Sequence, residues 1–182
     1  MLRPAVSRAA RVGIRPNHLT TLAIGVSALA GGAVLAGSKT PEILFVIPIL
    51  YLVRMALNAM DGLLAREHAM TSRTGVMLNE IGDVVSDAIA YLPFAVVVPD
   101  AAWLVVTVVV IGLIGEVAAL AASDDGARRN DGPLGKSDRA LAFGALAVLA
   151  AAGLQSVIAP MLVVLAGLGI VTIWNRATGA HS

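Results

Sequence analysis

Cysteine is absent from the 182 residues of the chain, and charged residues are scarce at 14%. Without cysteine the chain forms no disulfide, offers no thiolate nucleophile and builds no cysteine-based zinc site, so any metal must bind to oxygen or histidine. A soluble domain carries roughly 25% charged residues, so most of this chain must be solvated by lipid. The net charge of +1, with basic residues that do not form one patch, argues against nucleic-acid binding.

Apolar residues make up 58% of the chain. Because a transmembrane helix needs about 20 mostly apolar residues, a chain of this length holds at most about six spans and no separate soluble domain. We therefore predict an all-α integral membrane protein with one domain over residues 1–182, consisting of a juxtamembrane arm at 1–15 and a bundle of about six transmembrane helices at 16–178. The apolar segments fall at about 19–37, 42–64, 75–98, 101–122, 139–154 and 157–174.

The N-terminal arm is basic and precedes the first apolar segment, as in a secretory signal. We reject that interpretation because the apolar run is long for a signal core and further spans follow. Arg8, Arg11 and Arg15 are spaced three or four residues apart between apolar residues, which predicts a short amphipathic helix on an anionic lipid surface.

The distribution of basic residues predicts the orientation in the cell membrane. If both termini are cytoplasmic, only Lys39 lies on the outer side. The basic residues then placed on the cytoplasmic side are Arg3, Arg8, Arg11, Arg15, Arg66, Arg73, Arg128, Arg129, Lys136, Arg139 and Arg176. We therefore predict a multi-pass protein with its active site facing the cytoplasm.

Small residues recur four apart in the first and fifth helices. This spacing permits close packing of helices within the chain or a homodimer, and it does not choose between them. The residues are Ala28, Gly32 and Ala36 in the first helix and Ala140 and Gly144 in the fifth.

Acidic residues lie inside the predicted membrane helices: Asp61 in the second, and Glu80, Asp83 and Asp87 in the third. A carboxylate at the bilayer centre costs about 2.5 to 3.5 kcal/mol on insertion scales, so each needs a basic residue, water or a metal as partner. For Glu80, as for Glu116 in the fourth helix, a functional role and a structural pair with Arg54 both remain open. Arg54 is itself an unusual charge within the second helix.

Helix periodicity places these acids on two stripes that can face each other. Asn58 and Asp61 are three residues apart, while Asn79, Asp83 and Asp87 are spaced four apart, so each set shares one helix face. All of these ligands are hard oxygens, which suit Mg²⁺ or Mn²⁺ ions that bridge carboxylates and phosphates.

Small residues and one arginine stand beside the acids. Gly62, Ala65 and Gly75 leave room for a bulky ligand to approach the backbone, and Arg66 can offset phosphate charge. The segment therefore predicts a site for a nucleotide diphosphate.

This segment resembles the signature of the CDP-alcohol phosphotransferase family, also called CDP-alcohol phosphatidyltransferases, Asp-x2-Asp-Gly-x2-Ala-Arg-x8-Gly-x3-Asp-x3-Asp. Residues 14–20 are similar to the family's usual start of its first helix, and six transmembrane helices is the family's architecture. The positions that match the signature spacing are Asn58, Asp61, Gly62, Ala65, Arg66, Gly75, Asn79 and Asp83.

The resemblance implies an enzyme of phospholipid biosynthesis that transfers a phosphatidyl-type group from CDP-diacylglycerol to a small alcohol and releases CMP. It implies that the first three acidic positions hold Mg²⁺ or Mn²⁺ ions, which clamp the diphosphate. The fourth position, Asp83, then assists as general base on the alcohol.

The acceptor alcohol is left open by the signature. Lys136 and Arg139, at the start of the fifth helix, are expected to bind an acceptor phosphate, although positive-inside topology and lipid headgroup contacts explain the same residues. Among acceptors we favour glycerol phosphate, with inositol phosphate, serine and other alcohols as alternatives.

Two positions depart from the signature: Asn58 and Asn79 stand where the family has aspartates. An asparagine carbonyl still ligates a hard cation, but two lost anions weaken metal binding and put a two-metal site in doubt. Asp87, one turn beyond Asp83, is a candidate replacement ligand. The alternative function is a catalytically weakened member that binds CDP-lipid or a partner without turnover. A small transporter fits the hydropathy alone but does not explain the signature spacing.

Overall fold

The computed structural model describes residues 3–68, 70, 73–122 and 132–178. Within these residues every regular element is helical, which confirms the predicted all-α class. Two 3₁₀ segments, Pro41–Val46 and Pro99–Ala101, lead into α3 and α6. The α-helices are α1 Arg3–Arg11, α2 Pro16–Gly37, α3 Ile47–Glu67, α4 Arg73–Tyr91, α5 Phe94–Val97, α6 Ala102–Ala121, α7 Lys136–Ala151 and α8 Gln155–Thr178.

Four helical segments are long and apolar enough to cross a membrane, by length and composition: Pro16–Gly37, Pro41–Glu67, Pro99–Ala121 and Gln155–Thr178. Helix α4 falls outside this group because it carries Glu80, Asp83 and Asp87. Helix α7 has 16 residues and is about 24 Å long, less than the hydrocarbon thickness of about 30 Å. Composition therefore supports four of the six predicted spans.

The predicted third span, 75–98, is wrong as one continuous helix. Helix α4 ends at Tyr91, the chain turns at Leu92 and Pro93, and the short α5 follows. Proline has no N–H for the helical ladder, and its ring disfavours the α conformation of the preceding residue. Pro93 therefore ends α4 where apolar composition alone predicted continuation.

The main core contains four of the chain's five tyrosines and phenylalanines. The Tyr91 ring stacks on Phe143 with centroids 4.3 Å apart and meets the edge of Tyr51 at 5.3 Å. The Tyr51 hydroxyl donates a hydrogen bond to the Ala90 carbonyl at 2.8 Å. These contacts tie α3, α4 and α7 together beneath the charged residues described below.

Helix α2 packs against both α3 and α4. At Gly31, a Cβ atom would meet the carbonyl oxygen of Ile89 and lie 3.3 Å from its carbonyl carbon. Only glycine allows this close approach, which brings α4 directly against α2 and places its acidic face beside α3.

The two stripes of small residues differ in exposure. Ala140 and Gly144 of α7 are buried, and a Cβ at Gly144 would lie 3.6 Å from Pro48 of α3. Ala28, Gly32 and Ala36 of α2 are exposed. The α7 stripe therefore serves packing within the chain, and the α2 stripe remains available to a neighbour.

The predicted N-terminal helix is present as α1. Val6 and Ala9 are buried, and α1 packs on α3, where the Nε of Arg3 lies 3.0 Å from Oε1 of Glu67. Gly13, at φ +78°, forms the turn into α2. Arg128 and Arg129, used in the topology prediction, lie outside the described residues.

Candidate active site

Three carboxylates from α3 and α4 are buried close together. Asp61 is 3% exposed, Asp83 6% and Asp87 2%. Burial of an ionised carboxylate is tolerated only with hydrogen bonds or opposite charges around it. The partners of each carboxylate therefore indicate what it does.

Asp61 lies toward the C-terminal end of α3 and faces α2. The Thr20 hydroxyl of α2 donates a short hydrogen bond to Oδ2 of Asp61. Asp61 and Asp83 also lie near enough for their charges to interact repulsively. Two neighbouring carboxylates favour a cation between them.

Asp83, in the middle of α4, is contacted on both oxygens. The amide nitrogen of Asn58 donates to Oδ1 at 3.0 Å, and the ammonium group of Lys136 forms an ion pair with Oδ2. Lys136 is the first residue of α7, so this pair joins the start of α7 to the acidic face of α4. The predicted catalytic residue therefore lies between α3 and α7.

Both carboxylate oxygens of Asp87 contact arginines. Its Oδ1 forms an ion pair with Arg54 of α3, and its Oδ2 accepts hydrogen bonds from Arg139 of α7 at 2.7 and 3.2 Å. Arg54 also donates to the Tyr91 hydroxyl at 3.1 Å. These contacts do not favour the expected role of Asp87 as a replacement metal ligand, because ligation would require breaking buried ion pairs.

Glu116 of α6 joins three basic residues. Its Oε1 lies 2.8 Å from Arg139 and 3.5 Å from Arg176, and its Oε2 lies 3.7 Å from Lys136. Arg176 also donates to the carbonyl oxygen of Gly115 at 2.7 Å. Arg54, one alternative partner for Glu116, forms its ion pair with Asp87.

Two cavities are lined by neighbours of Asp83, one by Lys136 and the other by Asp61. The α2–α3–α4 cavity has a volume of about 320 Å³. It is lined by Pro16, Asn17, Asp61, Gly62, Ala65, Arg66, Met70, Gly75, Val76, Asn79 and Glu80. Six of the predicted signature residues thus line one space.

The second cavity, the α6–α7–α8 cavity, has a volume of about 370 Å³. It is lined by Met55, Glu116, Gly132, Gly135, Lys136, Ser137, Asp138 and Arg176. Asp83 contacts Lys136 of this cavity and interacts with Asp61 of the other. A group bound in either cavity would therefore lie near the same carboxylate.

The donor chemistry fits a hard divalent cation. The residues described contain no group of three or more His, Asp or Glu side chains arranged to hold a metal, so carboxylates alone do not make a site. Two carboxylates, Asp61 and Asp83, together with the amide oxygens of Asn58 and Asn79, offer oxygen ligands of the kind that Mg²⁺ and Mn²⁺ prefer. The two asparagines make this donor set less anionic than the family signature.

Sequence reasoning missed or misassigned several residues of this site. Thr20 lies in the segment that is similar to the family's start of its first helix, and the spacing gives no sign of its contact with Asp61; Arg176 enters the prediction only as part of the positive-inside pattern. Arg54 and Glu116 gave a usable signal, because charges inside membrane helices are functional by default. Their partners lie on helices distant in sequence, so spacing could not identify them.

Comparison with known proteins covers most of the chain. The sequence model of the CDP-alcohol phosphatidyltransferase family matches residues 14–174. Inner membrane protein YnbA of Escherichia coli (strain K12) is 40% identical over 145 residues, which is 79% of this chain and 72% of that protein.

Two solved structures have a similar fold. Phosphatidylinositol phosphate synthase (PgsA1) of Mycobacterium tuberculosis with CDP-DAG bound has a TM-score of 0.74 at 18% identity, covering 97% of this chain and 91% of that one. The same synthase in complex with manganese and citrate has a TM-score of 0.78 at 18% identity, covering 97% and 87%. At this identity the likeness concerns the fold alone.

Proposed function

The chain belongs to the CDP-alcohol phosphatidyltransferase family, and on that premise we propose the reaction that it performs. It transfers a phosphatidyl-type group from CDP-diacylglycerol to the hydroxyl of a small alcohol, in phospholipid biosynthesis, and releases CMP. The observation that carries the proposal is the α2–α3–α4 cavity, which gathers Asp61, Arg66 and Asn79 with the small residues of the signature.

The cytidine diphosphate moiety binds in the α2–α3–α4 cavity. Gly62, Ala65 and Gly75 line this cavity, and because their side chains are small or absent the ligand can approach the backbone closely. Arg66 offsets the diphosphate charge, as guanidinium groups do for phosphates. A Cβ at Gly62 would lie in ordinary contact with the Arg66 guanidinium, at 3.4 Å, so Gly62 and Arg66 face the same part of the cavity.

A single Mg²⁺ or Mn²⁺ ion would be held by Asp61, Asp83, Asn58 and Asn79. When bound, such an ion neutralises negative charge on the diphosphate as the bond to CMP breaks. Asp87 is left out of this set because both of its oxygens contact arginines. The structural relative PgsA1, which was solved with manganese, supports a divalent cation in this fold.

Asp83 is the general base. The alcohol approaches from the α6–α7–α8 cavity, and its oxygen forms a bond to the phosphorus that carries the diacylglycerol. Asp83 accepts the hydroxyl proton while the bond from that phosphorus to CMP breaks. Asn58 and Lys136 hold the carboxylate in place between the two cavities.

An apolar cavity of about 440 Å³ between α3 and α7 suits one acyl chain of the CDP-lipid. It is lined by apolar residues such as Pro48, Leu52 and Val148, and it shares Met55 and Ser137 with the α6–α7–α8 cavity. A lipid whose phosphates lie near Asp83 can therefore extend its tail along α7.

The chain is a six-span membrane domain. The spans are α2, the helical segment 41–67, α4 with α5, α6, α7 and α8, and α1 lies on the cytoplasmic surface. The positive-inside distribution supports cytoplasmic termini and a cytoplasmic site. The exposed α2 stripe of Ala28, Gly32 and Ala36 supports a homodimer.

The proposal is tested by CMP release from CDP-diacylglycerol by the purified full chain. The assay compares Mg²⁺, Mn²⁺ and a chelator, each with a panel of alcohols with and without phosphate. Release that needs both a metal and one alcohol establishes the enzyme. No release with any alcohol, beside an active family member as control, rejects it.

The second candidate function is a member that binds CDP-lipid without turnover, and Asn58 and Asn79 are the observation that favours it. The double variant Asn58→Asp, Asn79→Asp separates the two functions. A native chain without activity and an active double variant would support the binding protein.

A further inference from the structure

The acceptor side of the site has an unusual charge arrangement. Glu116, 2% exposed, lines the α6–α7–α8 cavity and contacts Lys136, Arg139 and Arg176. Within the described residues one connected network of ion pairs runs through α3, α4, α6, α7 and α8. Its members are Arg54, Asp83, Asp87, Glu116, Lys136, Arg139 and Arg176.

This network leaves little positive charge for a ligand. Lys136 contacts Asp83 and Glu116, Arg139 contacts Asp87 and Glu116, and Arg176 contacts Glu116. Four basic against three acidic members leaves one net positive charge, whereas a phosphate monoester carries about −1.5 to −2 at pH 7. If such a phosphate binds, either a buried carboxylate leaves its basic partners or it stays beside the phosphate. The first breaks a buried ion pair and the second places two negative charges together, so both are unfavourable.

The same cavity is rich in hydrogen-bond acceptors. Besides Glu116, the lining includes the Ser137 hydroxyl and Asp138, whose Oδ2 accepts from the backbone N–H of Gly135 at 2.8 Å. Hydroxyl and ammonium groups donate to carboxylates, and phosphate oxygens are repelled by them. The lining therefore suits a polar molecule that donates hydrogen bonds.

Resting on the proposed function, we infer that Glu116 determines the acceptor class: the site takes a small alcohol that carries no phosphate group, either a neutral polyol or an amino alcohol. Lys136 and Arg139 then position Glu116 and Asp83 instead of binding an acceptor phosphate. This inference replaces the preference for glycerol phosphate that the sequence alone suggested.

The turnover test uses matched pairs of acceptors: glycerol with glycerol 3-phosphate, and inositol with inositol phosphate, with serine and ethanolamine as amino alcohols. We expect kcat/KM of the native enzyme to be at least about tenfold higher for a free alcohol than for its phosphate ester. In Glu116→Gln we expect this ratio to fall by about tenfold or more, mainly through a lower KM for the ester. Glu116→Asp should retain the native preference.

The matched control is Glu42→Gln, an exposed glutamate before α3, which should leave the ratio unchanged. A native preference for the phosphate ester overturns the inference. An active Glu116→Gln variant with an unchanged ratio overturns it as well.

A binding test separates failure of this inference from failure of the proposed function. Inorganic phosphate at millimolar concentration is added to the full chain, and thermal unfolding is followed in detergent. Phosphate also meets Arg66 in the α2–α3–α4 cavity of both chains, so the comparison between the two chains is what reports on the α6–α7–α8 cavity. We expect the rise in Tm to be larger for Glu116→Gln than for the native chain. An equal or larger rise for the native chain overturns the inference, whether or not CMP is released.

Discussion

Asn58 and Asp83 meet across the interface of α3 and α4, with Nδ2 of Asn58 3.0 Å from Oδ1 of Asp83. The family signature has a carboxylate at position 58, and two carboxylates at this separation repel each other unless a cation lies between them. The asparagine donates a hydrogen bond instead, so this contact needs no cation to offset a repulsion. We therefore expect the site of this chain to depend less on a cation than one with aspartate at position 58.

Asn58→Asp should make the site more dependent on metal. Without a divalent cation the variant should unfold at a lower temperature than the native chain, because the new carboxylate faces Asp83. With Mn²⁺ or Mg²⁺ the Tm should recover, and the apparent Kd for the cation should fall by about tenfold, since a carboxylate binds a hard cation better than an amide does. Thermal unfolding across a metal titration measures both effects.

The control for this variant is Asn58→Ala, which removes the hydrogen bond to Asp83 without adding charge. It should not bind metal more tightly than the native chain. If Asn58→Asp has the native Kd for both cations, Asn58 is not a metal ligand.

Asp83→Asn should remove the general base. The asparagine keeps the size of the side chain but cannot accept the alcohol proton, so kcat should fall by about 10² to 10⁴-fold in steady-state assays of CMP release. Asp100→Asn, an exposed aspartate outside the site, should keep the native kcat. A fall of less than about tenfold in Asp83→Asn would exclude this role.

Asp87→Asn should affect stability more than metal binding. The change leaves Arg54 without its carboxylate partner and weakens the contacts of Arg139, and removal of one partner of a buried pair costs about 3 to 5 kcal/mol. We expect a lower free energy of unfolding in denaturant and an unchanged apparent Kd for Mn²⁺.

The second change Arg54→Met should restore part of the stability lost in Asp87→Asn, because it removes the unpaired guanidinium. Weaker metal binding at native stability would instead identify Asp87 as a metal ligand, as the sequence suggested.

The acidic site was predictable from sequence because its parts are local. Asn58, Asp61 and Gly62 share one helical turn, and the fixed spacing to Asn79 and Asp83 brings two short stretches together. Helix periodicity is sufficient to place such residues on common faces.

The network around Glu116 was not predictable in the same way. Its partners lie 20 to 60 residues away on α7 and α8, and their proximity depends on how the helices pack. Arg176 also fits the positive-inside pattern, so its position in the sequence was already explained by topology and gave no separate sign of an ion pair. The break after α4, in contrast, had a visible cause in Pro93.

Close packing between α2 and α4 gives the last prediction. Gly31→Ala places a Cβ against the backbone carbonyl group of Ile89, whose atoms cannot rotate away as a side chain could. We expect the helices to separate and the Tm in detergent to fall, with CMP release falling as well because Thr20 of α2 contacts Asp61.

Gly25→Ala is the matched control, because Gly25 lies in the same helix outside the exposed stripe, is itself exposed, and has nothing within 4 Å of the added Cβ. Alanine is a better helix former than glycine by about 1 kcal/mol, so the Tm of this variant should be unchanged or higher. A fall in Tm confined to Gly31→Ala shows that backbone contact with α4 requires the glycine. Equal stability of the two variants would show that α4 moves away from α2 at no measurable cost, and the position of the acidic face would then not depend on Gly31.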